Sequence, residues 1–404
     1  MTGATLPAAD WAHDPRLARL VAALTADGGA VRYVGGAVRD TIAGLAVSDI
    51  DLATPLEPAD VVARIEAAGI KAVPTGIAHG TITAVVESRP FEVTTLRRDL
   101  ATDGRRATVA FATDWREDAA RRDFTINALY ADPQSGEISD YFGGIDDLAV
   151  GRVRFIGDAA TRIAEDHLRI LRFFRFHARF GKGPPDAEAL AAVSAMAETM
   201  RGLSRERIAA ELLSLLALND PRATIGLMID NGIFASIVPE IDTASLDRLS
   251  TLIANERAAH NAPDAVLRLI ALGPLDSDKA EGMAERLKLS TAHRRRARLA
   301  RDVAIDRQVD PRHLAYRIGN EGARDAWLLS EDPAAAAGAL AQLDRWTPPR
   351  LPLKGGMIVA RGVTPGPDVA RLLAEAERRW VAEDFPDASR ARAILDQLLD
   401  ESCQ

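Results

Sequence analysis

The sequence predicts an α+β chain: a small mixed sheet with helices over about the first 150 residues, then a remainder that is helical throughout. Three observations carry this. Short apolar runs alternate with helical patterns between Val31 and Leu96. Beyond Asp158 only helical periodicity is found, and aromatic residues are scarce at 5% beside abundant Ala, Leu and Arg, a mixture that favours helix. The length of 404 residues, 47% of them hydrophobic, exceeds what a single core organises, so several domains are expected.

Val31 to Val34 reads as a strand and Gly36 to Leu45 as a helix entered from a Gly35-Gly36 turn. Asp49 to Ala53 reads as a strand, and Pro58 to Ala68 as a helix opened by a proline, whose missing N–H is not needed at a first helical position. Thr81 to Val86 and Phe91 to Leu96 read as an antiparallel pair across Glu87-Ser88-Arg89-Pro90, with helices on one side of the sheet. Helical signals then cover Ala159 to Phe180, Asp186 to Met200, Ser204 to Ala217 and Pro221 to Asn231, broken by a loop from Gly181 to Pro185. Asp344 to Pro352 and Gly362 to Pro367 are Pro/Gly-rich joints, and Asp368 to Gln404 reads as a final pair of charged amphipathic helices.

The chemistry starts at Asp49 and Asp51. In a strand they point the same way, while Ile50 and Leu52 point into a core. Two anions so placed repel unless a cation intervenes, and oxygen-only ligands suit Mg²⁺ shared with substrate phosphates. The Gly35-Gly36 turn and helix start would offer backbone N–H groups to those phosphates. An Asp-x-Asp pair is also common in turns and on solvated faces. Its setting in an apolar strand beside a helix carrying Arg39 and Asp40 points to metal-assisted nucleotidyl transfer.

Composition narrows the partners. A formal charge of −8 argues against a protein that coats itself with nucleic acid. The stretch Arg286 to Arg301 is locally basic and contains no acid, and it is either a solvated helix face or an RNA dock. Lysines number only five, Lys71, Lys182, Lys279, Lys288 and Lys354, so phosphate ligands must be chiefly arginines, which bind as bidentate forks. The single Cys403 can form no intrachain disulfide and no Cys-ligated metal site, which fits a reducing compartment. No signal segment or membrane-length apolar run is read, so cytoplasmic placement without a membrane partner is expected. His79, His167, His177, His260, His293 and His313 are too scattered for a zinc site.

Two further runs carry charge at the edge of a core. In Arg121-Arg122-Asp123-Phe124-Thr125-Ile126-Asn127-Ala128, placed at the start of or within a helix after Asp118, arginine can fork onto a triphosphate and aspartate can accept from a ribose hydroxyl. An exposed helix face would look the same. In Glu165-Asp166-His167-Leu168-Arg169-Ile170-Leu171-Arg172-Phe173-Phe174-Arg175-Phe176, Asp166, Arg169 and Arg172 form a slanted polar stripe on one helix, with Arg175 further round. That stripe is either a salt-bridge ladder or a reader of a ligand. As a reader, Asp166 beside Arg169 matches the amino donor and ring-nitrogen acceptor shared by cytosine and adenine. Uracil and guanine present the reverse and would leave polar groups unpaired.

These motifs resemble those of class II tRNA nucleotidyltransferases, the bacterial and eukaryotic CCA-adding enzymes, which share their head with bacterial poly(A) polymerases and the DNA polymerase beta superfamily. The resemblance rests on Tyr33-Val34-Gly35-Gly36-Ala37-Val38-Arg39-Asp40, Asp49-x-Asp51, Thr75-Gly76-Ile77-Ala78-His79-Gly80-Thr81, Phe91-Glu92-Val93-Thr94-Thr95-Leu96-Arg97 and the two runs above, in order over Ala30 to Phe180. It implies a DNA polymerase beta-like nucleotidyltransferase head at 1–155, a helical neck at 156–220 with the base-reading helix, a helical body at 221–310 for RNA binding, and a helical tail at 311–404 for the tRNA elbow.

The resemblance further implies that Gly35, Gly36 and Arg39 bind the triphosphate and that Asp49 and Asp51 ligate Mg²⁺, with Glu92 as a third carboxylate. Arg122 would contact the nucleotide, Asp123 would lie near the ribose, and Asp166, Arg169, Arg172 and Arg175 would read the base and bind phosphate. The activity implied is template-independent addition of C, C and A to tRNA from CTP and ATP with release of pyrophosphate and no obligate protein partner. The polar loop from Arg97 to Arg106, with Gly104 at its tip, sits where the family carries a flexible basic loop that accompanies the switch from CTP to ATP, which favours full CCA addition. A poly(A) polymerase or a partial CC- or A-adding enzyme is the alternative. The basic motif that marks poly(A) polymerases is absent, as is a His-Asp phosphohydrolase signature.

Overall fold

The computed structural model describes residues 3–77, 80–103, 106–302 and 309–402. Ala78 and His79, the Gly104-Arg105 tip and Cys403 lie outside them. The chain divides into two compact units, Met1–Ile241 and Asp242–Gln404. This boundary falls within the 221–310 segment that the sequence assigns to one body.

In the first unit, Asp14 caps helix α1 (Pro15–Thr25) by accepting from Arg16 N–H, and Pro15 opens it. Strand β1 (Arg32–Val34), helix α2 (Gly36–Ile42), strand β2 (Asp51–Thr54) and helix α3 (Pro58–Ala67) follow closely where the alternation predicts them. Strand β3 (Lys71–Gly76) is not expected, since it contains Pro74. It lies at the sheet edge, where a missing N–H is tolerated. β4 (Thr81–Val86) and β5 (Arg89–Thr95) join through Glu87 and Ser88 alone, both at positive φ as a two-residue hairpin turn requires. Arg89 and Pro90 therefore belong to the strand.

The segment read as a polar loop is instead a hairpin, β6 (Arg97–Asp103) with β7 (Arg106–Phe111), paired from Arg97↔Phe111 to Asp103↔Arg106. The stretch from Arg97 to Arg106 reads as a loop because it is mostly polar and carries Gly104, although Ala107, Val109 and Phe111 alternate as a strand would. Helix α4 (Trp115–Ala120), strands β8 (Leu129–Ala131) and β9 (Ile138–Asp140) and helix α5 (Gly144–Val150) complete the head. Among the described residues the main sheet has the order β3-β4-β5-β2-β1-β8-β9, with β2 and β5 parallel and the other neighbours antiparallel.

Strand alternation sends Tyr33 and Leu52 into one core with Leu20, Leu24, Val61 and Ile65 of α1 and α3. Val34 and Ala53 go into a second core with Ala119 of α4, Tyr130 and Ile156. The sheet is thus covered on both faces near its centre, not on one side alone.

The run expected as one helix from Ala159 to Phe180 is two, α6 (Ala159–Glu165) and α7 (Arg169–Phe180), with Asp166 in extended conformation between them. Helices α8 (Ala187–Ala195), α9 (Arg205–Leu216, capped by Ser204) and α10 (Arg222–Asp230) follow as predicted. Phe173, Phe174 and Phe176 of α7 are buried, and Phe124 and Phe155 of the head pack against Phe173 at ring separations of 6.5 and 6.1 Å. This seats α7 on the head.

The second unit is helical among its described residues. Helices α11 (Thr243–Ala258), α12 (Ala265–Leu272), α13 (Ser277–Arg286), α14 (Thr291–Asp302), α15 (Pro311–Ile318), α16 (Asn320–Leu328) and α17 (Pro333–Leu343) share cores around Trp327, Leu252 and Leu340 and around Ile270 and Ala297. Helices α18 (Gly355–Val359), α19 (Pro367–Ala382) and α20 (Ala388–Ser402) close on Trp380.

Candidate active site

The site begins where β1 ends. Gly35 has φ +66°, so its conformation calls for glycine, while a Cβ there would make only ordinary contacts with Arg122 Nη1 at 3.5 Å and Asn127 O at 3.6 Å. Its own N–H is spent on Leu129 O at 3.0 Å. The free donors are those of the first turn of α2, from Gly36 on, which have no partner four residues back.

The β2–β5 register sets Asp51 directly opposite Glu92. Parallel neighbours lie about 4.8 Å apart, so two carboxylates share one edge. Asp49 precedes β2, is exposed, and accepts from Ser48 Oγ at 2.8 Å. Among the described residues the only group of three or more His, Cys or carboxylate side chains whose ligand atoms all fall within 4.8 Å of one another is Asp310, His313 and Asp384. Arg312 already bridges that second group, at 2.9 Å to Asp310 and 2.8 Å to Asp384.

Burial, and then the neighbouring Glu92 charge, push Asp51 up to about 6, with Arg122 opposing and Asp49 adding to the rise. A carboxylate so perturbed gains most from a hard cation. The trio offers oxygen ligands only, and it lines a cleft of about 530 Å³ with Thr83, Arg89 and Pro90.

Arg122, whose charge acts on Asp51, is held in a fixed seat. The run from Arg121 to Ala128 lies not in a helix but at the end of α4 and in a 3₁₀ turn, Thr125–Asn127. From there Arg122 Nε donates to Tyr130 Oη at 3.1 Å and Nη2 to Asp118 at 3.1 Å, while Tyr130 Oη donates to Asp118 at 2.6 Å. Asp118 is 1% exposed. Burial alone would raise it, but Arg122, Arg121 and Tyr130 hold it down at about 2. Asp118 and Tyr130 were not singled out from sequence, although Asp118 stands four residues before Arg122, the spacing of a helical ion pair.

Asp123 is also buried. It accepts from Asn127 Nδ2 at 2.9 Å and Arg172 Nε at 2.7 Å, and these partners keep it below the usual carboxylate range against the pull of burial. Arg39, expected at the triphosphate, is 6% exposed and its donors are engaged: Nε with Asp40 at 2.7 Å, Nη1 with Asn127 at 2.5 Å and Nη2 with Asp40 at 2.6 Å. Phe176 and Phe180 flank its guanidinium at 5.0 and 4.5 Å. Arg179 of α7 then reaches Asp40 at 2.8 Å. In this geometry Arg39 and Asp40 tie α2 to α7.

The stripe expected along one helix is divided among partners. Asp166 accepts from Arg207 of α9 at 2.7 Å, and Arg169 donates to Glu165 at 2.5 Å, so these two are not paired with each other. The break in the helix is the reason: Asp166 caps α6 instead of sharing a face with Arg169. Arg172 binds Asp123, and Arg175 binds Glu211 of α9 at 2.6 Å. Arg207 and Glu211 are partners of this stripe that sequence reasoning missed; their spacing of four on an apolar helix was the available signal.

In the second unit, the basic stretch proves to be largely internal ion pairs. Arg294 meets Glu285 at 2.9 Å, Arg296 meets Asp325 and Asp264 at 2.6 Å each, and Arg298 meets Asp278 at 2.8 Å.

Two families match the chain: "Poly A polymerase head domain" over residues 31–154 and "Probable RNA and SrmB- binding site of polymerase A" over residues 185–245. The chain is 33% identical over 388 residues to CCA tRNA nucleotidyltransferase 1, mitochondrial, of Danio rerio, covering 93% of this chain and 87% of the relative. To the CCA-adding enzyme of Streptococcus sanguinis strain SK36 it is 31% identical over 370 residues, covering 88% and 90%. Its fold matches the crystal structure of the Bacillus stearothermophilus CCA-adding enzyme in complex with CTP, with a TM-score of 0.77 at 23% identity over 96% of this chain and 99% of that one.

Proposed function

This chain belongs to the family of CCA-adding tRNA nucleotidyltransferases, and from that premise we propose that Asp49, Asp51 and Glu92 form the metal centre of its transfer reaction. The enzyme adds C, C and A to the 3′ end of tRNA, taking CTP and ATP and releasing pyrophosphate. The observation that carries the site assignment is the register that places Glu92 beside Asp51 at the mouth of the cleft.

Mg²⁺ is the cation we assign, because the donors are all carboxylate oxygens and the substrate brings phosphates. When bound, such ions favour the ionised 3′-hydroxyl and offset charge on the leaving pyrophosphate. The chain's own residues do the rest. The first-turn N–H groups of α2 and Nη1 of Arg122, which has no partner among the described residues, receive the triphosphate, with Arg122 held to that geometry by Asp118 and Tyr130. Asp123 and Arg172 fix the wall beside the ribose. Arg39 keeps α2 in place from behind.

Base choice falls to the neck. Asp166 accepts the exocyclic amino group of cytosine or adenine, since a carboxylate has room for that donor as well as Arg207. Arg169, steered by Glu165, supplies a donor to the ring nitrogen. Arg175 supports this wall through Glu211. We assign residues 1–155 to the catalytic head, 156–220 to the neck, 221–310 to an RNA-binding body and 311–404 to a tail that meets the tRNA elbow. No helix among the described residues is long and apolar enough to cross a membrane, and we place the enzyme in the cytoplasm.

The test supplies Mg²⁺ and tRNA ending at the discriminator base, with CTP, ATP, UTP or GTP singly and combined. Two C and one A are expected. A homopolymeric A tail on many RNAs would refute the reading. Asp166→Ala should blur refusal of UTP more than it weakens triphosphate binding, and unchanged selectivity would remove Asp166 from base reading.

A further inference from the structure

Asn127 closes the 3₁₀ turn of the Arg121 to Ala128 run and is buried. Its Oδ1 accepts from Arg39 Nη1 at 2.5 Å, and its Nδ2 donates to Asp123 Oδ1 at 2.9 Å. A guanidinium can only donate and an ionised carboxylate can only accept, so a side chain between them must do both, in that orientation. The asparagine amide does so. An aspartate of the same size would keep the acceptor for Arg39 but set a like charge against Asp123, and an apolar residue would remove a hydrogen bond from each.

Both partners lead to binding elements. Arg39 stands three residues after Gly36, about one turn along α2 from the N–H groups assigned to the triphosphate. Asp123 accepts from Arg172 Nε at 2.7 Å, and Arg172 stands three residues after Arg169, about one turn along α7 from the residues assigned to the base. Arg39, Asn127, Asp123 and Arg172 thus form a continuous hydrogen-bonded chain between the start of α2 and the start of α7. A separate tie, Arg179 to Asp40 at 2.8 Å with the Phe180 ring 4.5 Å from the Arg39 guanidinium, holds α2 to the far end of α7. The two helices are therefore packed together without Asn127, and the chain through Asn127 serves the end where the nucleotide sits.

We propose that Asn127 is a positioning residue that couples base choice to transfer, by keeping the base-reading start of α7 and the triphosphate-binding start of α2 in one geometry. A base that Asp166 and Arg169 cannot pair displaces the start of α7, and the relay carries that displacement to the triphosphate, out of line for attack. This rests on the base-reading assignment above and adds how the choice reaches the reacting phosphorus. A buried relay suits the task because each member has one arrangement that satisfies both neighbours.

The experiment measures the kcat and KM of CTP and of UTP in single-nucleotide addition to tRNA ending at the discriminator base. The enzymes compared are wild type, Asn127→Ala, Asn127→Asp, Asp166→Ala and the Asn127→Ala/Asp166→Ala double variant. In Asn127→Ala the kcat for CTP should fall about tenfold and that for UTP should hold, while the ratio of the two KM values is unchanged. Asn127→Asp, which lacks the donor toward Asp123, should do the same. In the double variant the kcat ratio should be no lower than in Asn127→Ala alone, since a reader cut off from the triphosphate has nothing left to transmit. Equal losses of kcat with both nucleotides would reduce Asn127 to a structural part and overturn the proposal, as would a wild-type kcat ratio in Asn127→Asp or additive losses in the double variant. If Asp166→Ala alone leaves selectivity unchanged, the base-reading assignment fails instead.

Discussion

Asp51→Asn should stabilise the metal-free protein while abolishing transfer. Asp51 titrates at about 6 in the folded chain against an ordinary value of 3.8, because it is buried and stands beside Glu92. The folded state thus binds the proton more tightly than the unfolded state. Ionising Asp51 works against folding: the cost begins as pH rises above 3.8 and is complete above 6. The difference between 3.8 and about 6 corresponds to about 3 kcal/mol at pH 8, falling to about half that near pH 5. The nearly isosteric, uncharged Asn removes this cost. Urea unfolding of both proteins in chelator, from pH 5 to pH 8, should show a variant advantage that grows with pH and levels off above 6. Added Mg²⁺ should then stabilise wild type and not the variant. A variant no more stable at pH 8, or an advantage independent of pH, would refute the reasoning.

Tyr130→Phe removes the hydroxyl that orders Arg122 and Asp118, so kcat should fall about tenfold while the KM for tRNA holds; steady-state kinetics decide, and a change confined to the KM for tRNA would count against it. Arg207→Ala frees Asp166 from α9, and the preference for CTP over UTP in single-nucleotide addition should drop about tenfold. In the second unit Glu256 and Arg268 are each about 2% exposed and joined at 2.6 Å. Glu256→Ala should cost about 3–5 kcal/mol by removing the carboxylate that faces the buried Arg268 guanidinium, seen as an earlier unfolding transition by calorimetry.

How much was legible follows from the range of the interaction. The Gly35-Gly36 turn, β2, the β4–β5 pair and helices α8 to α10 were readable because each depends on local periodicity or turn chemistry. The hairpin of β6 and β7 was not, since Arg97 to Asp103 is mostly polar and runs into Gly104, so it reads as a loop, and its pairing with β7 is made through the backbone. The break at Asp166 escaped because the sequence on either side keeps helical periodicity, and its new partner Arg207 lies 41 residues away. The resemblance gives Arg39 the triphosphate, but its burial against Phe176 and Phe180 comes from α7 packing on the head, which short spacing does not show.

The sequence by itself determined the inventory: three carboxylates, a glycine turn, an arginine-rich neck and a helical remainder. These are properties of residue type and short spacing, which the chain carries before it folds. The tertiary structure alone decided which charges face one another. Strand register set Asp51 against Glu92, and helix packing gave Asp166 to Arg207 and Arg39 to Asp40 and Asn127. Electrostatic pairing depends on separation in space, and folding brings together residues far apart in the chain.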